Sequence, residues 1–292
     1  MATSSQWLEG ARPRTLPAAV SPVVAGSGIA AFEGAFSIGL ALLCLVVALA
    51  LQVGVNYAND YSDGIRGADS DRVGPMRLVG SGAASPTAVR NAALLSFAVA
   101  GLAGLVLVLL TGSWWLLAVG AAALAAGWFY TGGRRPYGYH GLGELFVFVF
   151  FGLVAVGGTV VVQVGRVTPA TWAAAVAIGA LASAILVANN LRDLEGDAIV
   201  GKRTLATRLG DFRTRLFFAG LLVVAMLAVV VVSGLTTRWA LLGLLAIVLL
   251  AGPYREVLSG GTGQGLIRVL QLVGLGELTA AVGLAVGLVI GS

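Results

Sequence analysis

Repeated apolar runs, each long enough to cross a bilayer and separated by shorter polar turns, constrain this chain more than any other feature. About 20 consecutive apolar residues span the hydrocarbon layer as a helix. Within lipid, backbone N–H and C=O groups must be satisfied inside a helix or a closed barrel. Runs of this length therefore predict an all-α polytopic membrane protein. Nine candidate helices follow, at roughly 15–32, 36–59, 87–110, 114–130, 142–163, 170–190, 213–233, 238–252 and 266–290. Of the residues, 58% are hydrophobic and 11% charged, against about 25% charged in a soluble domain. No polar stretch is long enough for a second domain, so residues 1–292 read as one transmembrane unit.

The cations fall on one side of this arrangement. If the helices alternate, the connections at 60–86, 131–141, 191–212 and 253–265 share a side with the N-terminal segment. That side holds Arg12, Arg14, Arg66, Arg72, Arg77, Arg134, Arg135, Arg192, Lys202, Arg203, Arg208, Arg213, Arg215, Arg255 and Arg268, whereas Arg166 and Arg238 lie opposite. The positive-inside rule then places the N-terminus in the cytoplasm and the C-terminus outside, across the inner (cytoplasmic) membrane. The formal charge of +5 is thereby explained by topology and gives no support to a nucleic-acid partner. Arg12 and Arg14 precede an apolar stretch containing Pro17 and Pro22, which predicts a retained first span. The 42 glycines suit closely packed membrane helices, and Cys44 is expected to pack among apolar neighbours.

Two acid clusters interrupt the apolar pattern on the expected cytoplasmic side. They are Asn56-Tyr57-Ala58-Asn59-Asp60-Tyr61-Ser62-Asp63 and Asn189-Asn190-Leu191-Arg192-Asp193-Leu194-Glu195-Gly196-Asp197. If the second helix runs through the first cluster, Asn56, Asn59, Asp60 and Asp63 share a face; Asn189, Asp193 and Asp197 form the matching stripe. Carboxylates on one face repel each other, and at a membrane helix end they need a compensating cation. Oxygen donors without cysteine or clustered histidine suit Mg2+, which shares a few carboxylates with substrate phosphates. Asp60, Asp63, Asp193 and Asp197 are the candidate catalytic metal ligands, with Asp69 as a further participant. Arg66, Arg72, Arg77, Arg134, Arg135, Lys202 and Arg203 are the candidate diphosphate contacts, since cationic forks stabilise phosphate oxygens. A polar cap accounts for either cluster alone; two on one side favour metal. Glu144 and Glu277, acids within spans, are functional candidates by position, while Glu195 is out of phase and solvated.

Taken in order, these motifs resemble the UbiA superfamily of intramembrane aromatic prenyltransferases. Its N-D-x-x-D motif is matched by Asn59 through Asp63, and its D-x-x-x-D motif by Asp193 through Asp197. Arg12-Pro13-Arg14-Thr15-Leu16-Pro17, Tyr137-Gly138-Tyr139-His140-Gly141-Leu142-Gly143-Glu144 and Lys202-Arg203-Thr204-Leu205-Ala206 are similar to its menaquinone-pathway branch. The resemblance implies a UbiA-type helical bundle around a central cavity, capped by cytosolic connections and holding Mg2+ on both motifs, with Asn56, Asn59 and Asn189 supporting the metals or diphosphate. It further implies transfer of a polyprenyl group from polyprenyl diphosphate to 1,4-dihydroxy-2-naphthoate. Loss of the ring carboxylate would then give demethylmenaquinone, with the tail in a groove open to membrane lipid. Tyr137, Tyr139, His140 and Glu144 become candidates for the aromatic substrate, and the motifs leave open which of them holds its carboxylate.

One departure stands out. Many ring-prenylating relatives carry a Tyr and a Lys in the connection after the fourth helix. Here Tyr130 is followed by Thr131-Gly132-Gly133-Arg134-Arg135, so arginine is expected to take the cationic role. Two rival classes share parts of the pattern. CDP-alcohol phosphotransferases use D-x-x-D-G, as in Asp60 to Gly64, but keep their second Asp pair close downstream. A secondary transporter places its polar site near the midplane, whereas both clusters here sit at helix ends. A different aromatic acceptor is the remaining alternative, and the glycine-rich helices do not decide the oligomeric state.

Overall fold

Hydroxyl caps start several helices of this protein and glycines stop some of them. The computed structural model describes residues 2–67, 76–199 and 201–292. A short helix α1 (Ser4–Gly10) opens on a capping box between Thr3 and Gln6. A 3-10 turn at Pro13–Thr15 leads into α2 (Leu16–Phe32), followed by α3 (Ile38–Gly64), α4 (Pro86–Thr111) and α5 (Leu116–Phe129). A second 3-10 turn, Tyr137–His140, precedes a composite helix of α6 (Gly143–Val147), a π-helical stretch (Phe148–Val154) and α7 (Ala155–Val164). The chain ends in α8 (Pro169–Arg192), α9 (Leu194–Ile199), α10 (Leu205–Leu235), a 3-10 stretch (Arg238–Leu245), α11 (Ala246–Leu258) and α12 (Gly263–Ile290). Ser37, Ser85, Thr168 and Thr204 each accept the N–H of the residue three positions on, satisfying an otherwise orphaned donor. Gly112 and Gly165, at φ 68° and 81°, close α4 and α7 in the left-handed region where a Cβ is unfavourable.

Among the described residues, eight segments are long and apolar enough to cross a membrane. The expected span at 114–130 is the exception: α5 has 14 residues, about 21 Å of rise. Another end differs from expectation. α10 begins at Leu205 rather than near 213, because Thr204 caps it and the chain bends at Gly210 (φ 75°, ψ 171°) before the apolar run. α1 and α9 were not foreshadowed, since neither is apolar nor long enough to leave a period.

Small residues set the packing. α8 lies at the centre, against α10, the π-helical stretch, α12 and α2, with Ala174, Ala177, Gly179, Ala180 and Ala184 on its buried surface. Where the π-helical stretch crosses α8, a Cβ on Gly152 would lie 2.6 Å from the Ala175 carbonyl oxygen and 2.8 Å from Gly179 Cα. Backbones meet there only because both side chains are absent. α5 packs against α3 and α4. A cavity of about 700 Å³ opens between α2–α5 on one side and α6–α8 with α12 on the other. α10 and α11 support α8 and α12 from behind.

Candidate functional site

The helical period of α3 decides which acids reach this cavity. Asn56, Asn59 and Asp63, three and four residues apart, line it. Asp60 follows Asn59 by one position and is turned about 100° from it. It does not line the cavity; 1% exposed, it accepts the Leu78 N–H at 2.8 Å and the Val79 N–H at 3.0 Å. The face expected for four side chains thus carries three. Asn59 Oδ1 accepts the Thr131 hydroxyl at 2.8 Å, and Asp63 Oδ1 accepts the Tyr139 hydroxyl at 2.7 Å.

Asn56 anchors a strap made by the N-terminal segment. Its amide donates to the Ala11 carbonyl at 2.8 Å and to Thr15 Oγ1 at 3.0 Å, and the Gln52 amide donates to the same hydroxyl at 3.0 Å. One residue further along α3, the Tyr57 hydroxyl donates to the Trp7 carbonyl at 2.8 Å while the two rings meet edge to face. So held, the strap brings Arg12 and Arg14 to the cavity wall. Arg12 sits at φ 54°, the one positive φ outside glycine among the described residues. Such a backbone is costly for an L-residue and persists only where its surroundings enforce it.

The second acid cluster meets the first across the cavity mouth. The Arg192 guanidinium grips both oxygens of Asp193, at 2.7 Å each, and reaches Asn189 Oδ1 at 2.9 Å. Lys202 Nζ lies 3.7 Å from Asp197 Oδ1 and 4.7 Å from the centre of the Tyr139 ring. The Arg203 N–H donates to the Tyr139 carbonyl at 3.1 Å. Tyr139 therefore touches both halves: its hydroxyl holds α3 and its ring and backbone hold the segment after α9. Burial, reinforced by Asp63, pushes the Tyr139 phenol above its ordinary pKa, and burial does the same to Tyr130 and Tyr137. All three remain neutral hydroxyl donors at physiological pH. Behind them an aromatic wall descends into the apolar part. Tyr130 and Tyr137 meet edge to face at 5.5 Å, Tyr137 stacks on Phe146 at 4.0 Å, and Phe146 on Phe150 at 6.0 Å.

Several expected contacts fall elsewhere. Arg134, Arg135, Arg203 and His140 are exposed and absent from the cavity wall; His140 Nδ1 sits 2.9 Å from the Pro136 carbonyl. Arg66 turns outward and binds the Thr131 and Gly133 carbonyls. Exposed arginines stay where water solvates them, and the tight 130–138 turn keeps that loop's backbone inward. At Gly138 the N–H donates to the Tyr130 carbonyl, and a Cβ would meet that oxygen at 2.7 Å. Glu144 is buried behind the wall, accepting the Asn190 amide at 2.8 Å. Asp69 and Arg72 lie outside the described residues. Among the described residues, the cations of the cavity wall are Arg77 and Lys202, both expected, together with Arg12, Arg14 and Arg192. Reading the N-terminal arginines as topological anchors concealed Arg12 and Arg14, although the Arg12-to-Pro17 motif was the available signal. Phe146 and Phe150 had no signal beyond an apolar run.

The donor set at the mouth is carboxylate and amide oxygen: Asp63, Asp193, Asp197, Asn59 and Asn189. These are hard ligands suited to Mg2+. Among the described residues no three acidic, histidine or cysteine side chains converge on one point. Neither motif is a closed ligand cage by itself, which fits a cation that keeps positions for substrate phosphate oxygens.

A family model described as the UbiA prenyltransferase family matches residues 19–260. The chain is 55% identical to a 1,4-dihydroxy-2-naphthoate octaprenyltransferase of Mycobacterium tuberculosis, covering 100% of this chain and 99% of that one. It is 39% identical to the enzyme of the same name from Escherichia coli, over 86% and 84% of the two chains. Among solved structures, a UbiA homologue from Aeropyrum pernix superposes with a TM-score of 0.74 at 15% identity, over 92% of this chain and 97% of that one. A UbiA homologue from Archaeoglobus fulgidus with GPP and Mg2+ bound gives 0.68 at 15% identity, over 98% and 99%.

Proposed function

This chain belongs to the UbiA prenyltransferase family, and from that premise we propose that it transfers a polyprenyl group from polyprenyl diphosphate to 1,4-dihydroxy-2-naphthoate. The observation that carries the reading is the junction of two chemistries in one cavity. Oxygen donors and five cations ring its mouth, and an apolar, aromatic-walled chamber lies beneath them. A diphosphate head with an isoprenoid tail has that same division. Asp63, Asp193 and Asp197, supported by Asn59 and Asn189, would hold Mg2+, which when bound supplies charge to stabilise the departing diphosphate. Arg12, Arg14, Arg77, Arg192 and Lys202 bind the same oxygens and strengthen as the allylic C–O bond breaks and its electron pair leaves with diphosphate. The faces of Tyr130, Tyr137, Phe146 and Phe150 receive the allylic cation and tail away from water. The ring carbon then forms the C–C bond while the carboxylate leaves as carbon dioxide, giving demethylmenaquinone as its quinol.

The orientation belongs to the same proposal. The cation-rich site end faces the cytoplasm of a cell membrane, residues 1–292 act as one domain, and α5 serves as a ninth pass that returns Thr131 to Asn59. Purified protein in liposomes, given Mg2+, 1,4-dihydroxy-2-naphthoate and a polyprenyl diphosphate, should release diphosphate and carbon dioxide with a prenylated naphthoquinol. Asp63→Ala and Asp193→Ala should each cut turnover by at least about 100-fold. Diphosphate release with a different aromatic acceptor alone would keep the prenyl transfer and remove this acceptor.

A further inference from the structure

We propose that Asp60 is a positioning residue and not a metal ligand: it holds the turn that delivers Arg77 to the diphosphate end of the cavity. This rests on the prenyl diphosphate reading above. Of the four acids in the two motifs, Asp60 alone is absent from the cavity wall. Its two oxygens are directed instead at consecutive backbone donors, Leu78 N–H at 2.8 Å and Val79 N–H at 3.0 Å.

Three carbonyls of the turn are satisfied within it. The Arg77 carbonyl accepts the Ser81 N–H and hydroxyl, the Leu78 carbonyl accepts the Ala84 N–H at 3.0 Å, and the Val79 carbonyl accepts the Gly82 N–H at 3.0 Å. Asp60 thus supplies the two acceptors that the turn cannot provide for itself. An asparagine could not replace it, because its amide nitrogen would face a second donor. Two glycines make room for the docking. A Cβ on Gly10 of α1 would lie 2.6 Å from Leu78 Cδ1, and one on Gly64 would lie 2.5 Å from Val79 Cβ. Leu78 is consequently sealed between strap and helix at 0% exposure. Its neighbour Arg77 is carried to the wall of the same cavity that Asn59 and Asp63 line.

The test is binding of pyrophosphate with Mg2+ to the full chain in detergent, which needs no acceptor and no turnover. Asp60→Asn should weaken it about tenfold, Arg77→Ala by a similar factor, and the double variant no more than about twofold beyond Arg77→Ala. Amide exchange at 78–79 should rise in Asp60→Asn and stay unchanged in Arg77→Ala, which separates the positioning role from the contact itself. Losses that multiply in the double variant would make Asp60 an independent ligand and overturn the proposal, as would wild-type affinity in Asp60→Asn. Should that variant not accumulate folded, Ser81→Ala loosens the other end of the turn, and its loss must likewise vanish on an Arg77→Ala background. A wild-type chain that binds no pyrophosphate would instead remove the prenyl diphosphate reading.

Discussion

Tyr139 shows how one side chain can couple two distant segments. Its hydroxyl is spent on Asp63 and its ring on Lys202. Tyr139→Phe keeps the ring and removes the hydroxyl, so it should lower kcat about tenfold, on the scale of a lost hydrogen bond to a carboxylate. Because burial keeps the phenol protonated, the variant's pH–rate profile should keep the wild-type shape up to about pH 10. A change in its alkaline limb would show instead that the phenol titrates during turnover. The cations divide by burial in a way their order in sequence conceals. Lys202→Ala should raise the KM for the diphosphate donor about tenfold, whereas exposed Arg134→Ala and Arg135→Ala should leave it within about twofold. Steady-state kinetics on the three variants decides this; equal effects would place the arginines at the substrate.

The elements were legible in proportion to their length. Eight of the nine expected runs fall in apolar helical segments of 21 residues or more among the described residues, because a long period averages over local exceptions. The acid stripe on α3 was readable for the same reason, except that steps of three and four residues admitted both Asn59 and Asp60, about 100° apart, to one face. The π-helical stretch Phe148–Val154 was not readable: it depends on a partner, since the close contact of Gly152 with Gly179 is made by two helices at once. Gly152→Ala should destabilise the protein by about 1–3 kcal/mol through overpacking. A fall in the unfolding midpoint in detergent measures this, and an unchanged midpoint would mean that the crossing can open to accept a methyl group.

At the scale of the molecule, open space at two glycines of the cavity wall allows a test of where the proposed tail lies. Gly158 and Gly120 both line the cavity, and a Cβ on either would meet nothing within 4 Å. Gly158→Phe should therefore reduce turnover of long polyprenyl donors at least about tenfold more than that of a ten-carbon donor; equal losses would place the tail elsewhere. A reporter fused after Ser292 should be accessible from outside the cell if α5 completes a ninth pass, and protected if it does not. Much of this architecture was written in the chain itself. Hydrophobic runs and asymmetric cations dictate the helices because lipid admits no unpaired backbone and because arginines partition by side. The oxygen chemistry of the site is likewise carried by its residue types. Which of those residues line the cavity was decided only by tertiary structure. A strap from the N-terminus, a turn at 77–82 and the Tyr139 bridge meet through hydrogen bonds between segments far apart in sequence. Burial and direction, which separate Asp63 from Asp60 and Lys202 from Arg134, arise only once those segments are brought together.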